Sequence, residues 1–344
     1  MLFRSNVAIT APGGYALSAN ASTASSDVLT LVLAEVGYDT DVKPSFSIAT
    51  DGSDDYKDNA GNIITAVTYT TTTDGAPPVA YAVATKDWST SDRGVGNPDG
   101  YIDGFTITFS EAVSIAYADS AAARNAFAVQ KVENTVDLKT SLITVAGTVM
   151  TIKGKSLKDA ASGYGTHPWD ANALPTLTYT SQSGIKDAAG NAWATFWKPI
   201  AAASATVFSE TTDGAAPSIV KAVGQVNSTN IYVTFSEAVK GTGVANALVA
   251  ANFTYVNVYN TGANATAIVN LTKADASTQA DPTATLTVDA TLLVNDVEND
   301  SLKVAALGNI QDMSVANNNL PVLNVTINDV IPPELISAVT KDVD

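Results

Sequence analysis

The sequence predicts an all-β fold, with β-sandwich modules arranged in tandem, and two observations predict it. The first is internal repetition. Phe109-Ser110-Glu111-Ala112-Val113 recurs letter for letter as Phe235-Ser236-Glu237-Ala238-Val239, 126 positions further on. Other segments recur around it in the same order. Asp74-Gly75-Ala76-Pro77-Pro78 returns as Asp213-Gly214-Ala215-Ala216-Pro217 and as Asp329-Val330-Ile331-Pro332-Pro333. Asp58-Asn59-Ala60-Gly61-Asn62 returns as Asp187-Ala188-Ala189-Gly190-Asn191 and, decayed, as Asp312 to Asn318. Such a period exceeds the roughly 20–50 residues of a solenoid unit and suits tandem domains of about 100–150 residues. The second observation is strand patterning: many short apolar–polar alternations are separated by Gly, Asp, Asn and Pro turns, the signature of a sandwich.

Taken in order along the chain, the elements repeat as well. Val28 to Leu33 alternates, and Phe46-Ser47-Ile48 is a strand ahead of the first Asp-x-Ala-Gly-Asn turn. A unit then opens at Asp74 with a strand over Val79–Thr85, followed by Tyr101–Phe109 running into Phe-Ser-Glu-Ala-Val. Tyr117 to Phe127 reads as helical, Val149–Ile152 as a strand, and Leu177-Thr178-Tyr179 as the strand before Asp187. The next unit repeats the plan with Ile219–Val226, Asn230–Phe235, a helical Gly243–Ala251, Leu286–Val288, Leu302-Lys303-Val304 and Val322–Ile327. Residues 74–212 and 213–328 are therefore expected to be complete units. Residues 1–73 match only the later strands of a unit, and residues 329–344 only its opening strand, over Leu335–Thr340. Truncation of a longer array accounts for this. So does donation of the last strand to the incomplete unit of the next molecule, which would build a filament.

Composition excludes several function classes. Charged residues make up 15% of the chain against a usual ~25%, and of 34 acidic residues seven are Glu, so Asp dominates. Asp belongs in turns, where it bonds nearby backbone or holds a cation. A net charge of −16 argues against nucleic acid and against an anionic membrane surface. The absence of cysteine removes disulfides, thiolate metal sites and Cys nucleophiles. No apolar run reaches the ~18 residues of a spanning helix, so no direct membrane insertion is expected. Met1–Thr10 lacks the apolar core of a signal peptide, so either the protein is not exported by that route or, the favoured reading, the chain is a mature or excised fragment.

Asp-x-x-Pro-Pro, an apolar strand, Thr-(Ile/Val)-Thr-Phe-Ser-Glu-Ala-Val and later Lys-Asp-Ala-Ala-Gly-Asn together resemble the bacterial Ig-like repeats of large prokaryotic surface proteins, including S-layer proteins and adhesins. The resemblance covers essentially all residues after about 28. It implies extracellular Ig-like sandwiches in tandem at the cell surface, often rigidified by calcium, and it brings no catalytic residues.

Candidate Ca²⁺ ligands fall in three groups. Asn97, Asp99, Tyr101 and Asp103, preceded by Asp87 and Asp92, place oxygens on alternate residues with Gly100 at the sharp turn, as a six-to-eight-coordinate calcium requires. Pro98 and the missing Glu at the twelfth place exclude a true EF-hand, and a plain Asx-turn loop is the competing reading. Glu111 and Glu237 end core strands, and the linker acids Asp74, Asp213 and Asp329 sit at unit junctions; together they can hold an ion that stiffens the array, or each Glu simply solvates a strand end. Asp51, Asp54, Asp55 and Asp58 form an acidic run whose mutual repulsion a cation would relieve, as do Asp296, Glu298 and Asp300, although exposed loops tolerate such runs with solvent and salt alone. The segment from Asp187 to Asn191 reads as a turn with Gly190 at positive φ rather than as ligands.

Trp169, Trp193 and Trp197 lie within one unit beside His167 and suit either a sugar-stacking face or a core. His167 has no Ser–Asp partner in view, and repeated modules offer no obvious cleft for a paired-carboxylate hydrolase. The expected function is non-enzymatic: a calcium-stabilised structural component of an S-layer or extracellular filament, assembling with copies of itself. An adhesin or glycan-binding stalk is the alternative.

Overall fold

Alternation of apolar and polar residues sets the strands. The structure, a computed structural model, describes residues 7–10, 15–16, 23–25, 28–34, 40–50, 57–58, 60–88, 98–117, 120–131, 134–137, 142–153, 171–179, 184–193, 207–208, 211–242, 246–258, 265–273 and 282–329. Within these the chain is all-β. The N-terminal part contributes β1 (Val7–Thr10), β2 (Thr23–Ser25), β3 (Val28–Thr30), β4 (Ser45–Ile48) and β5 (Val67–Thr71). Next come β6 (Ala80–Lys86), β7 (Gly104–Phe109), β8 (Ser114–Ile115), α1 (Ser120–Asn125), β9 (Phe127–Lys131), β10 (Asn134–Asp137) and β11 (Leu142–Ala146). They are followed by β12 (Val149–Lys153), β13 (Thr176–Tyr179), β14 (Ile185–Lys186) and β15 (Val207–Phe208). The last part holds β16 (Ile219–Gly224), β17 (Asn230–Phe235), β18 (Val239–Gly241), β19 (Phe253–Val256), β20 (Ile268–Lys273), β21 (Thr283–Val288), β22 (Ser301–Val304), β23 (Ile310–Asp312) and β24 (Val325–Asn328).

The sheets repeat along with the sequence. A triplet ordered β1-β4-β5 reappears as β9-β13-β15, with β10 added at its edge, and as β19-β22-β24. The sheet β11-β12-β7-β6 reappears as β20-β21-β17-β16, and the pair β14-β8 as β18-β23. In the last part β24 also pairs with β16 in parallel, which joins two sheets into one seven-stranded sheet. The counterpart in the middle part is a single parallel bridge between Ala84 and Thr212.

Two separate hydrophobic clusters fill these layers. One runs from Ala80 to Trp193 and packs Phe105, Ile107 and Phe109 of β7 against Met150, Ile152, Phe127, Val129, Leu177 and Tyr179. Trp193 is fully buried in it, stacked on Tyr179 at 3.9 Å between ring centroids and edge-on to Phe109 at 5.0 Å. The other cluster runs from Ile219 to Ile327 and centres on Ile231, Val233, Phe235, Leu286, Phe253, Leu302 and Val304.

Four local expectations differ from what is observed, the first being Val28 to Leu33, where the strand stops at Thr30. The helical reading after each Phe-Ser-Glu-Ala-Val yields α1 in one copy, but in the other the described helix is a single 3₁₀ turn, Ala250–Asn252, whose side-chain bond from Asn252 caps Val249 N–H. Tyr101–Asp103 is loop rather than strand: the Asp99 carboxylate accepts the Tyr101 N–H, as Asp87 accepts those of Asp99 and Gly100, and the Asp103 N–H donates to the Lys86 carbonyl at 2.7 Å. Val322–Asn324 is not strand either: Pro321 donates no N–H, and Leu323 N–H turns back to the Pro321 carbonyl at 3.1 Å. Residues 330–344, with the proposed donor strand, lie outside the described residues.

Because the cores share no residue, damage to one should leave the other intact. Trp193→Ala is expected to cost about 3–5 kcal/mol in the Ala80–Trp193 core, lowering one calorimetric transition while a second, belonging to the Ile219–Ile327 core, stays in place.

Candidate metal centre

The recurring motifs converge in space. Asp74, Glu111 and Asp187 each place an oxygen within 4.8 Å of the others, and Asp213, Glu237 and Asp312 do the same. Each trio takes one residue from the linker, one from the strand-end Phe-Ser-Glu-Ala-Val and one from the Asp-x-Ala-Gly-Asn turn. Glu111, Asp187, Glu237 and Asp312 are buried, and the two linker acids are half-buried.

Local chemistry builds each corner. Phe109 and Phe235 anchor the strand end in the cores, which carries the following Ser and Glu to the rim. Ser110 Oγ accepts Val79 N–H and Ser236 Oγ accepts Ser218 N–H, both at 3.0 Å, which fixes the linker strand beside the Glu. The linker Asp closes an Asx-turn: Asp74 accepts Ala76 N–H and Asp213 accepts Ala215 N–H, both at 3.1 Å. At the third corner Asp187 accepts the backbone and side-chain N–H groups of Asn191, each at 2.8 Å. Asp312 accepts the same pair from Asn318 at 3.0 and 2.7 Å. The Asn side chains also reach the linker carbonyls, Asn191 that of Ala76 at 3.3 Å and Asn318 that of Asp213 at 3.3 Å. Gly190 has φ +96° in the first turn; in the decayed copy Asn317 takes that place at φ +52°.

Residues N-terminal to each trio's own unit complete the surroundings. Thr40 donates its hydroxyl to Glu111 and lies 2.6 Å from the Ser110 hydroxyl. At the second trio the unit ahead contributes Lys86, whose Nζ donates to the Gly214 carbonyl at 2.9 Å, and the buried loop of Asp87, Asp99 and Asp103. Asp87 accepts Asp99 N–H at 3.2 Å and Gly100 N–H at 2.7 Å; Asp103 accepts Trp88 N–H at 2.8 Å. Gly100, at φ +94°, leaves no room for a side chain: a Cβ there would lie 2.8 Å from Ser236 Cβ and 2.9 Å from Val220 Cγ1. This loop is thus pressed onto the strands that carry Glu237.

The electrostatics follow from packing acids together. Burial, with the charges of Asp213, Asp312 and Asp87, pushes Glu237 up to about 9. Burial and Asp312 raise Asp213 to about 6. Burial raises Glu111 to about 6 against the Thr40 hydrogen bond, with Asp187, Asp74 and Asp41 adding to it. Asp87 is raised to about 7, by burial first, despite the Gly100 N–H. Glu237 Oε1 is buried and accepts no hydrogen bond among the described residues. Oxygens bound to one calcium at 2.3–2.6 Å lie at most about 5 Å apart, so each trio has the spread and the hard donors that such an ion takes.

The other sequence-derived candidates are placed differently. Asp58 is exposed and bonded to Ala60, Asn62 N–H and the Asn62 side chain, the same turn as at Asp187 and Asp312 but outside any trio. Tyr101 is half-buried and donates its N–H to Asp99. Asp329 is exposed. Asp51, Asp54, Asp55, Asp92, Asn97, Trp169, Trp197 and His167 lie outside the described residues. Asp187 and Asp312, read from sequence as turn residues only, are members of the trios. Their signal was in the decayed third copy, which loses the Gly of the turn yet keeps Asp and Asn.

Comparison of the chain with family models, with curated proteins and with solved structures found no match.

A carboxyl whose pKa is raised on folding keeps a proton that the unfolded chain releases, so stability falls as pH rises from the unfolded value, about 4.3 for Glu, to the folded one. In chelator, the melting temperature is expected to drop between about pH 5 and pH 9, and Glu237→Gln should remove the upper part of that slope. A flat pH–melting profile in chelator would contradict the geometry.

Proposed function

We propose that the chain is a calcium-stiffened tandem of Ig-like sandwiches serving as a structural component of a prokaryotic cell surface, an S-layer or an extracellular filament built by self-assembly. The observation that carries this reading is the convergence of the three repeated motifs at one pole of each complete unit. Residues that define the repeat are spent on a carboxylate trio at the junction, not on a cleft. A bound divalent ion neutralises the trio, ties the linker to the sheet rim and fixes the angle at which one unit meets the next. That is a mechanical role.

Glu237 is 5% exposed, which leaves little room for a substrate to reach it. The pocket bordered by Ser218, Ile219, Leu320, Pro321, Leu323 and Val325 carries no ionisable side chain. Trp193 is buried in the core and offers no face to a sugar ring.

The experiment is a calcium titration followed by melting and by electron microscopy. An ion at about 100 times its Kd stabilises the folded form by about 2.7 kcal/mol, so calcium should raise the melting temperature. Glu111→Gln and Glu237→Gln should each blunt that rise, and ordered sheets or fibres should appear with the ion and dissolve in chelator. Superimposable melting curves in calcium and in chelator would refute the reading.

A further inference from the structure

The second complete unit departs from the first at three buried positions that lie together. Val129 pairs with Leu177 across β9 and β13, as Tyr255 pairs with Leu302 across β19 and β22. Counting back from Leu177 and Leu302, Pro175 then corresponds to Asp300 and Ala171 to Asp296. Ala171, Asp296 and Asp300 are all at 0% exposure. A wholly apolar set in one unit is thus exchanged for a hydroxyl and two carboxylates in the other.

The donors around these carboxylates are neutral. One oxygen of Asp296 accepts Leu293 N–H at 2.7 Å; the other, Oδ1, is buried and accepts no hydrogen bond among the described residues. Asp300 accepts the Tyr255 hydroxyl at 2.6 Å and Val258 N–H at 2.8 Å. The turn is closed by Asp300 N–H to the Asp296 carbonyl at 2.9 Å. Burial first, then the bond to Asp300 and the charges of Asp300, Asp296 and Asp289, push the Tyr255 hydroxyl above its ordinary value, so Tyr255 stays a donor. Glu298, between them, is exposed at φ +72° and takes no part.

This turn is remote from the trio of its own unit. Gly224 at the far end of β16 closes on Leu292, Val297 and Ile327, while Ser218 at the near end bonds Ser236 beside Glu237. Six strand residues at ~3.3 Å each separate the two poles by roughly 20 Å.

Ionised carboxylates removed from water with only neutral donors are strongly disfavoured, and two within one turn repel. We propose that Asp296 and Asp300 hold a single divalent cation of the calcium class inside the second complete unit, anchored on Asp296 Oδ1. The ion compensates the charge that Ala171 and Pro175 spare the first unit, and it pins the turn to the end of β24, whose Ile327 N–H already donates to the Asp300 carbonyl at 2.9 Å. A proton shared by the acids is the rival explanation.

Calcium stoichiometry of the full chain, from titration calorimetry and native mass spectrometry, separates the two. Asp296→Asn should bind one ion fewer than the unaltered chain, and Asp296→Ala, which restores the residue of the first unit, should lose the same ion while keeping an apolar group in place. Tyr255→Phe should keep the ion. An unchanged ion count in both Asp296 variants overturns the proposal and points to the proton. If Glu237→Gln loses an ion while the Asp296 variants do not, the junction reading stands and this one falls; if the unaltered chain binds no calcium, both fall.

Discussion

Carboxylates buried beside other carboxylates constrain everything else in this molecule. At each junction the strand end, the linker and the turn before the last strand deliver one acid apiece to a space smaller than 5 Å across. Apolar packing puts them there: Phe109 and Phe235 sit in the cores, and the Glu two residues on has nowhere to go except the rim of the sheet. Backbone N–H groups of Ala76, Asn191, Ala215 and Asn318 then hold the four Asp corners in place. Burial and the neighbouring acids together raise the pKa values of Glu111, Asp213 and Glu237.

This arrangement couples local folding to the shape of the array. A linker between sandwiches is free to swing when nothing crosses it. Here the linker Asp is a corner of the trio, its carbonyl is bonded by the Asn of the turn, and Thr212 and Gly214 are bonded to β6 and Lys86 of the unit ahead. The linker is therefore bonded on both sides of the trio. The loop of Asp87, Asp99 and Asp103 adds a second acidic surface at the same joint, held against Ser236 by the close seat of Gly100.

Much of the fold was legible in the sequence, because period-two alternation reports directly on which face of a strand is buried. Asn230–Phe235 and the strand ahead of Asp187 appear in the structure where their alternation placed them. Strand ends were less legible. Tyr101–Asp103 alternates as well as its neighbours do, but the Asp99 carboxylate takes the Tyr101 N–H, and the bond from Asp103 N–H to the Lys86 carbonyl is where β6 is met. The candidate site was half legible: Asp74, Glu111, Asp213 and Glu237 could be named from recurrence, whereas Asp187 and Asp312 looked like turn residues because the Asp-x-Ala-Gly-Asn turn explains itself locally. What sequence spacing cannot show is that two carboxylates more than 70 positions apart, such as Glu111 and Asp187, meet across β8 and β14.

Crystals soaked in a lanthanide and measured at its absorption edge address the central claim most directly. The account predicts an anomalous peak enclosed by Asp74, Glu111 and Asp187 and another enclosed by Asp213, Glu237 and Asp312. Anomalous maps without a peak at either trio, in crystals that bind the ion elsewhere, would contradict it.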